Sequence, residues 1–247
     1  MKKLPPLQVI AAIITLTALA PRHARACGRD FSLCDPASLP KSGSTLLIPT
    51  FKWERNGGQD EFEFSTGVVQ PLSKRVAFDG YVSFSNEGNG WETETVTPGL
   101  LIDLTPNLED SRVRFGAFAA YKFAVNGDEE EEFVSANQLD AYNQLETRLI
   151  VEAEVTEKLG VVANLLTTVH EGKARWGYAA GARYELREEI GGSLEVIGDF
   201  QDGGKHQAFA NVWWEPKEGI SYRVGVGKGL SERAEDVTVL SGLVVEF

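Results

Sequence analysis

The sequence predicts an all-β protein: a closed antiparallel up-and-down transmembrane β-barrel of about twelve strands. Three observations predict it. From residue 45 onward, β-branched and aromatic residues alternate with polar or small ones in twelve runs broken by turn residues. Most runs are about 10–15 residues long, beyond the roughly 5–6 of globular strands and matched to the ~9–11 a tilted strand needs to cross a bilayer. The face opposite the apolar one carries charge, which suits a barrel interior with lipid outside and makes a poor sandwich core.

Composition alone points elsewhere. The 247 residues carry a net charge of −12, with 43% apolar residues. That apolar fraction excludes disorder. The acidic surplus argues against a nucleic-acid partner, which needs excess Lys and Arg. No run of 18 apolar residues offers a membrane helix. In a barrel, apolar residues recur at every second position, so averaging hides the membrane face.

Taken in order, the chain opens on Met1-Lys2-Lys3, an apolar stretch from Leu4 to Ala20, and Ala24-Arg25-Ala26. This is the pattern of a cleaved secretory signal over 1–26. Its removal takes Lys2, Lys3, Arg22 and Arg25 and no acid, so 24 basic residues become 20 against 36 acids, a net charge of −16. Residues 27–44 follow as a periplasmic segment long enough to enter the barrel mouth as a partial plug. Cys27 and Cys34 close the loop CGRDFSLC as a disulfide in an oxidising compartment. The alternative for Cys27 is lipidation, although Ala24 stands where a lipoprotein signal favours Leu.

The barrel occupies 45–247. The twelve expected strands cover 45–55, 61–70, 75–86, 91–105, 111–125, 139–155, 159–170, 175–187, 193–201, 206–215, 220–230 and 237–247. In the fifth, Val113, Phe115, Ala117, Ala119, Tyr121 and Phe123 oppose Arg112, Arg114, Gly116, Phe118, Ala120 and Lys122. In the sixth, Thr147, Leu149, Val151 and Ala153 oppose Glu146, Arg148, Ile150 and Glu152. Connections alternate between tight turns, such as Pro71-Leu72-Ser73-Lys74, and a second set that includes the long 126–138 loop. With periplasmic termini, the tight turns are periplasmic and the second set faces outside. Trp53, Trp91 and Trp176 fall at outer strand ends, and Trp213 and Trp214 near an inner end, as in two aromatic girdles. The last strand alternates from Val237 and ends on Phe247, resembling the C-terminal signal that the barrel-assembly machinery reads in Gram-negative outer-membrane proteins.

The stretch 176–247, with WGYAAGARYELREEIGGSLEV and YRVGVGKGLSERAEDVTVLSGLVVEF, resembles the outer-membrane "transporter" proteins grouped under a MetA pathway of phenol degradation. The resemblance implies a small barrel that handles small, hydrophobic or aromatic molecules. It brings no catalytic residues and no cofactor.

Strand parity places Asp79, Asp103, Arg112, Arg114, Lys122, Glu146, Arg148, Glu152, Arg183, Glu185, Glu195, Asp199 and Arg223 in the lumen. Twelve tilted strands enclose a cylinder roughly 24 Å across. The inward charges therefore line a narrow mixed-charge passage, or pair across it and fill it. Hydrolase chemistry needs a His beside a Ser or a metal. His170 and His206 sit at strand ends without a His-x-Ser arrangement, so no enzyme is expected. The acidic run 128–132 lacks the spacing and turn glycine of a calcium loop, so no metal is expected either. Gly225, Gly227 and Gly229 follow strand spacing and form no nucleotide loop. The expected partners are outer-membrane lipid and lipopolysaccharide, the assembly machinery and a small-molecule solute.

Overall fold

The computed structural model describes residues 34–86, 91–106, 111–125, 143–201 and 203–247. The 1–26 leader, Cys27, the 126–138 loop and the acidic run 128–132 lie outside the described residues. Among the described residues the regular elements are thirteen strands: β1 (Leu46–Asn56), β2 (Gln59–Pro71), β3 (Val76–Asn86), β4 (Glu92–Thr97), β5 (Gly99–Asp103), β6 (Val113–Ala124), β7 (Gln144–Glu154), β8 (Leu159–His170), β9 (Lys173–Arg187), β10 (Ile190–Asp199), β11 (His206–Lys217), β12 (Ile220–Gly229) and β13 (Val237–Glu246).

Strands pair antiparallel in chain order, with β4 and β5 together filling one place between β3 and β6, and β13 pairs back onto β1. The sheet is therefore closed, and among the described strands none stands as a free edge. Phe247 completes the seam by exchanging backbone hydrogen bonds with Thr45, at 3.0 and 3.2 Å.

The run expected as one strand over 91–105 is two strands. Pro98 has no N–H to give to a ladder, so the strand breaks there. The break is local: β4 and β5 both pair with β3 and β6, and the register against each runs on unchanged past Pro98. The amide of Tyr121 bonds the Pro98 carbonyl at 3.1 Å and bridges the gap. The two pieces share one place in the wall, so thirteen strands build a twelve-stave barrel.

The β1–β2 hairpin shows local chemistry setting register. Asn56 pairs directly with Gln59, leaving Gly57 and Gly58 as a two-residue turn with φ of +56° and +88°. Positive φ at both central positions is the type I′ geometry that matches strand twist, and glycine adopts it without strain.

Exposure alternates along the strands as lipid outside and packing inside demand. In β10, Leu194 is 68% exposed and Glu195 2%. Inside, large groups of one strand lie over glycines of the next. A Cβ on Gly191 would lie 2.0 Å from the Trp213 ring, one on Gly227 2.2 Å from the Phe209 ring, and one on Gly225 1.7 Å from Oδ1 of Asn211. Register places Gly191, Gly225 and Gly227 directly opposite those residues. The strand-spaced glycines of β12 are thus seats for the inward side chains of β11.

Candidate functional site

The ionisable groups gather on the inner wall. Asp79, Asp103, Lys122, Glu146, Glu152, Glu195 and Asp199 are buried there. Arg114, Arg148, Arg183 and Arg223 are half-buried on the same face. Glu185 sits toward the end that carries the termini, paired with Arg183 at 3.2 Å. Arg112 differs from the sequence expectation: it precedes β6 in a turn and stands exposed at the rim.

A stretch of chain lies across this wall. The amide of Cys34 donates to Oε2 of Glu195 at 3.0 Å, and that of Asp35 to Oδ1 of Asn164 at 2.8 Å. Asn164 returns a bond to the Asp35 carbonyl at 3.0 Å. The amides of Ala37 and Ser38 both donate to Oε2 of Glu152, at 3.1 and 3.3 Å. The Asp35 carboxylate pairs with Arg148. Arg148 also faces Glu146 at 3.9 Å and lies 5.3 Å from the Phe118 ring centroid. Hydrogen bonds to an ionised group contribute about 1.5–3 kcal/mol each, and a desolvated charge survives only when so partnered. Room comes from glycine: a Cβ on Gly116 would stand 3.2 Å from the Cα of Ala37. The apolar side of the segment, Cys34 and Ala37, packs with Leu101, Phe118, Ile150 and Val162.

Further polar groups flank this belt. Toward the termini, Asp103 faces Arg114 at 3.6 Å and accepts the Thr105 amide at 2.8 Å. Beside Glu195, Asn211 donates to both Glu195 and Ser193, at 2.6 and 3.1 Å. At the opposite end, Lys52 pairs with Glu54 and Glu63 at 3.0 and 2.7 Å, and Lys205 with Glu235 at 2.8 Å. Lys52, Glu54 and Glu63 escaped the sequence reading. Their signal was parity, since Phe51, Trp53 and Phe62 alternate with them along β1 and β2. Asp35 carried no such signal, because it lies ahead of any strand.

One expectation is corrected here. Trp213 is 5% exposed and turned inward over Gly191, whereas Trp214 is 50% exposed on the outer face. Adjacent strand residues point to opposite faces, so both cannot join one girdle. Trp53, Trp91 and Trp176 stand at the other end of the barrel. Cys34 is a buried free thiol among the described residues, and the expected Cys27–Cys34 bridge falls on a residue outside them. The place of Cys34 in the inner apolar cluster turns it toward the wall. Burial, followed by the negative charge of Glu195 and Asp35, pushes the Cys34 thiol well above its ordinary range.

No family model matches the chain, and no curated protein matches it. Solved structures do match. A KdgM porin aligns with a TM-score of 0.59 at 8% identity, covering 82% of this chain and 99% of its own. The same kind of porin in complex with disordered oligogalacturonate aligns at 0.56 and 9% identity, covering 81% and 98%. The COG4313 outer-membrane channel from Pseudomonas putida F1 aligns at 0.57 and 14% identity, covering 87% and 100%. The fold is that of an outer-membrane β-barrel. At such identities the likeness concerns the fold, and residue roles must be argued from this chain's own inner wall.

Proposed function

We propose that the protein is a Gram-negative outer-membrane channel for small solutes, with both termini in the periplasm. The observation that carries the reading is the inner wall: polar and ionisable groups succeed one another from Asp103 and Arg114, past Glu152, Arg148 and Glu195, to Lys52 and Glu54. That is a water-compatible lining inside an apolar shell.

The solute we favour is small, with an apolar or aromatic body and little negative charge. Phe118, Leu101, Ile150, Val162 and Leu166 form an apolar wall inside the barrel, beside the charged belt, which Cys34 and Ala37 cover and a solute meets once that segment yields. This agrees with the resemblance to the MetA-pathway transporters. Oligogalacturonate carries a carboxylate on every sugar, and the buried Glu152, Glu195, Asp79 and Asp199 of this wall would repel such a polyanion. A hydrolase role has no support in the histidines: His170 Nδ1 faces the Asn143 carbonyl at 3.2 Å, and His206 faces the Tyr178 hydroxyl at 3.2 Å.

A second reading, a wall-stiffening barrel with a filled lumen, is favoured by the bonds that hold residues 34–38 inside. Planar-bilayer conductance and liposome swelling of the mature chain, with and without residues 27–44, separate the two. We expect small conductance steps with the segment and larger ones without it, and faster swelling in neutral than in polyanionic solutes. A folded barrel that conducts in neither form overturns the channel reading.

A further inference from the structure

The outer face of the strands is apolar almost throughout, and Lys228 is an exception. On β12 the outward positions run Tyr222, Val224, Val226 and then Lys228, all exposed. Lys228 is the next-to-last residue of β12, at the end opposite the termini. A lipid-facing amine is costly at mid-bilayer and tolerated at the interface, where its stem lies on apolar surface and its head meets phosphate.

Its surroundings form a built patch. Lys228 pairs in register with Ala208 of β11, two residues from the outward His206, a diagonal neighbour about 7–8 Å away. The Tyr178 hydroxyl meets His206 Nδ1 at 3.2 Å, and the Tyr178 and Phe200 rings lie 5.4 Å apart. Gly198 permits this closure: a Cβ there would stand 2.1 Å from His206 Nδ1 and 2.8 Å from the Tyr178 oxygen. The chain after β12 is tied to the same place, since the Leu230 amide bonds the His206 carbonyl at 2.7 Å and Ser231 Oγ accepts the His206 amide at 3.0 Å. Arg233, exposed, rests over Gly203, with its guanidinium carbon 3.6 Å from where a Cβ would stand. Neither Lys228 nor Arg233 makes an ion pair with any described residue. In a chain with 36 acidic residues against 24 basic ones, Lys228, two positions before exposed Leu230 on the same strand face, and Arg233, over Gly203 in the turn that follows exposed Phe200, call for an anion that also carries hydrocarbon.

We propose that this patch binds the phosphorylated head group of an outer-leaflet glycolipid. Lys228 and Arg233 take the phosphate, His206 and the Tyr178 hydroxyl border it, and acyl chains lie along Val226 and Leu230. A free phosphate has no use for a lysine rooted on the lipid side of a strand, so the lipid is the occupant. The inference rests on the outer-membrane reading with periplasmic termini.

The test is native mass spectrometry of the full mature barrel with bisphosphorylated lipid A, its dephosphorylated form, and inorganic phosphate as competitor. A basic residue near an anionic membrane surface contributes about a fivefold factor. The double variant Lys228→Ala with Arg233→Ala should therefore bind lipid A roughly thirtyfold more weakly. The charge-keeping pair Lys228→Arg with Arg233→Lys should bind as wild type, which separates lost charge from a damaged fold. Dephosphorylated lipid should bind weakly to all forms, and inorganic phosphate should not compete. Equal binding by wild type and the double alanine variant overturns the proposal, as does binding indifferent to the phosphates. Conductance of the same samples reports the channel reading separately. Labelling of a Glu232→Cys variant in intact cells reports orientation: labelling from outside supports the proposal, and labelling only from the periplasm defeats it.

Discussion

The backbone amide of Cys34 donates to the Glu195 carboxylate at 3.0 Å, joining residues 161 positions apart inside one barrel. Glu195 is held for that contact by Asn211 and Ser193, and Glu152 accepts two more amides of the same segment. Three amide contacts to carboxylates, at about 1.5–3 kcal/mol each, keep the segment across the lumen. Replacing both acids, Glu152→Gln with Glu195→Gln, removes the charge from all three. Single-channel recording should then show larger and noisier open levels, approaching those of a chain lacking residues 27–44. Unchanged levels would mean that the apolar packing of Ala37 and Leu39 holds the segment unaided.

Cys34 offers a chemical reporter of the same docking. The thiolate is the reactive form, and an ordinary thiol passes to it near pH 8.5. Burial and the neighbouring Glu195 and Asp35 raise the Cys34 thiol, so it stays protonated as pH rises through that range. In a Cys27→Ser background, maleimide labelling of the folded barrel should stay slow from pH 7 to beyond pH 9. In denaturant it should rise with an ordinary thiol profile. Adding Glu152→Gln and Glu195→Gln should speed labelling of the folded form. Fast labelling of the unaltered barrel at pH 7 would contradict the buried position.

Parity made much of this legible beforehand. The alternation of Leu149, Val151 and Ala153 with Arg148, Ile150 and Glu152 told both strand and facing, because lipid and lumen impose a period of two. It failed where the period is interrupted or absent. Pro98 splits one run in two for want of an N–H. Trp213 and Trp214 are neighbours, and a rule that counts tryptophans at strand ends cannot see that they face opposite ways. Residues 34–38 have no period at all. Their place depends on side chains from β7, β8 and β10, which are remote in sequence, so the segment's own residues could not announce it.

The two tryptophans can be told apart by fluorescence. Trp214 stacks on Tyr222 with centroids 5.9 Å apart on the lipid face, while Trp213 is turned inward. In vesicles of lipids brominated near the head group, quenching should fall in Trp214→Phe. It should be retained in Trp213→Phe, whose remaining girdle tryptophans still meet the bromines. Equal losses in both variants would place Trp213 on the lipid face.

The fit of Trp213 over Gly191 predicts a folding cost. A Cβ on Gly191 would stand 2.0 Å from Cζ2 of Trp213 and 2.4 Å from Cη2, too close for a flexible tip to absorb, because the ring is buried and β10 is pinned on both sides by its ladders. Gly191→Ala must drive the indole off its rotamer or shift the strand, and overpacking of this kind costs about 1–3 kcal/mol. Urea titration of the refolded barrel should show a midpoint lowered accordingly, with the indole emission changed. Pairing Gly191→Ala with Trp213→Leu should recover much of the loss, since the shorter side chain vacates the space above residue 191. A single alanine variant as stable as wild type would mean that Trp213 does not occupy that seat.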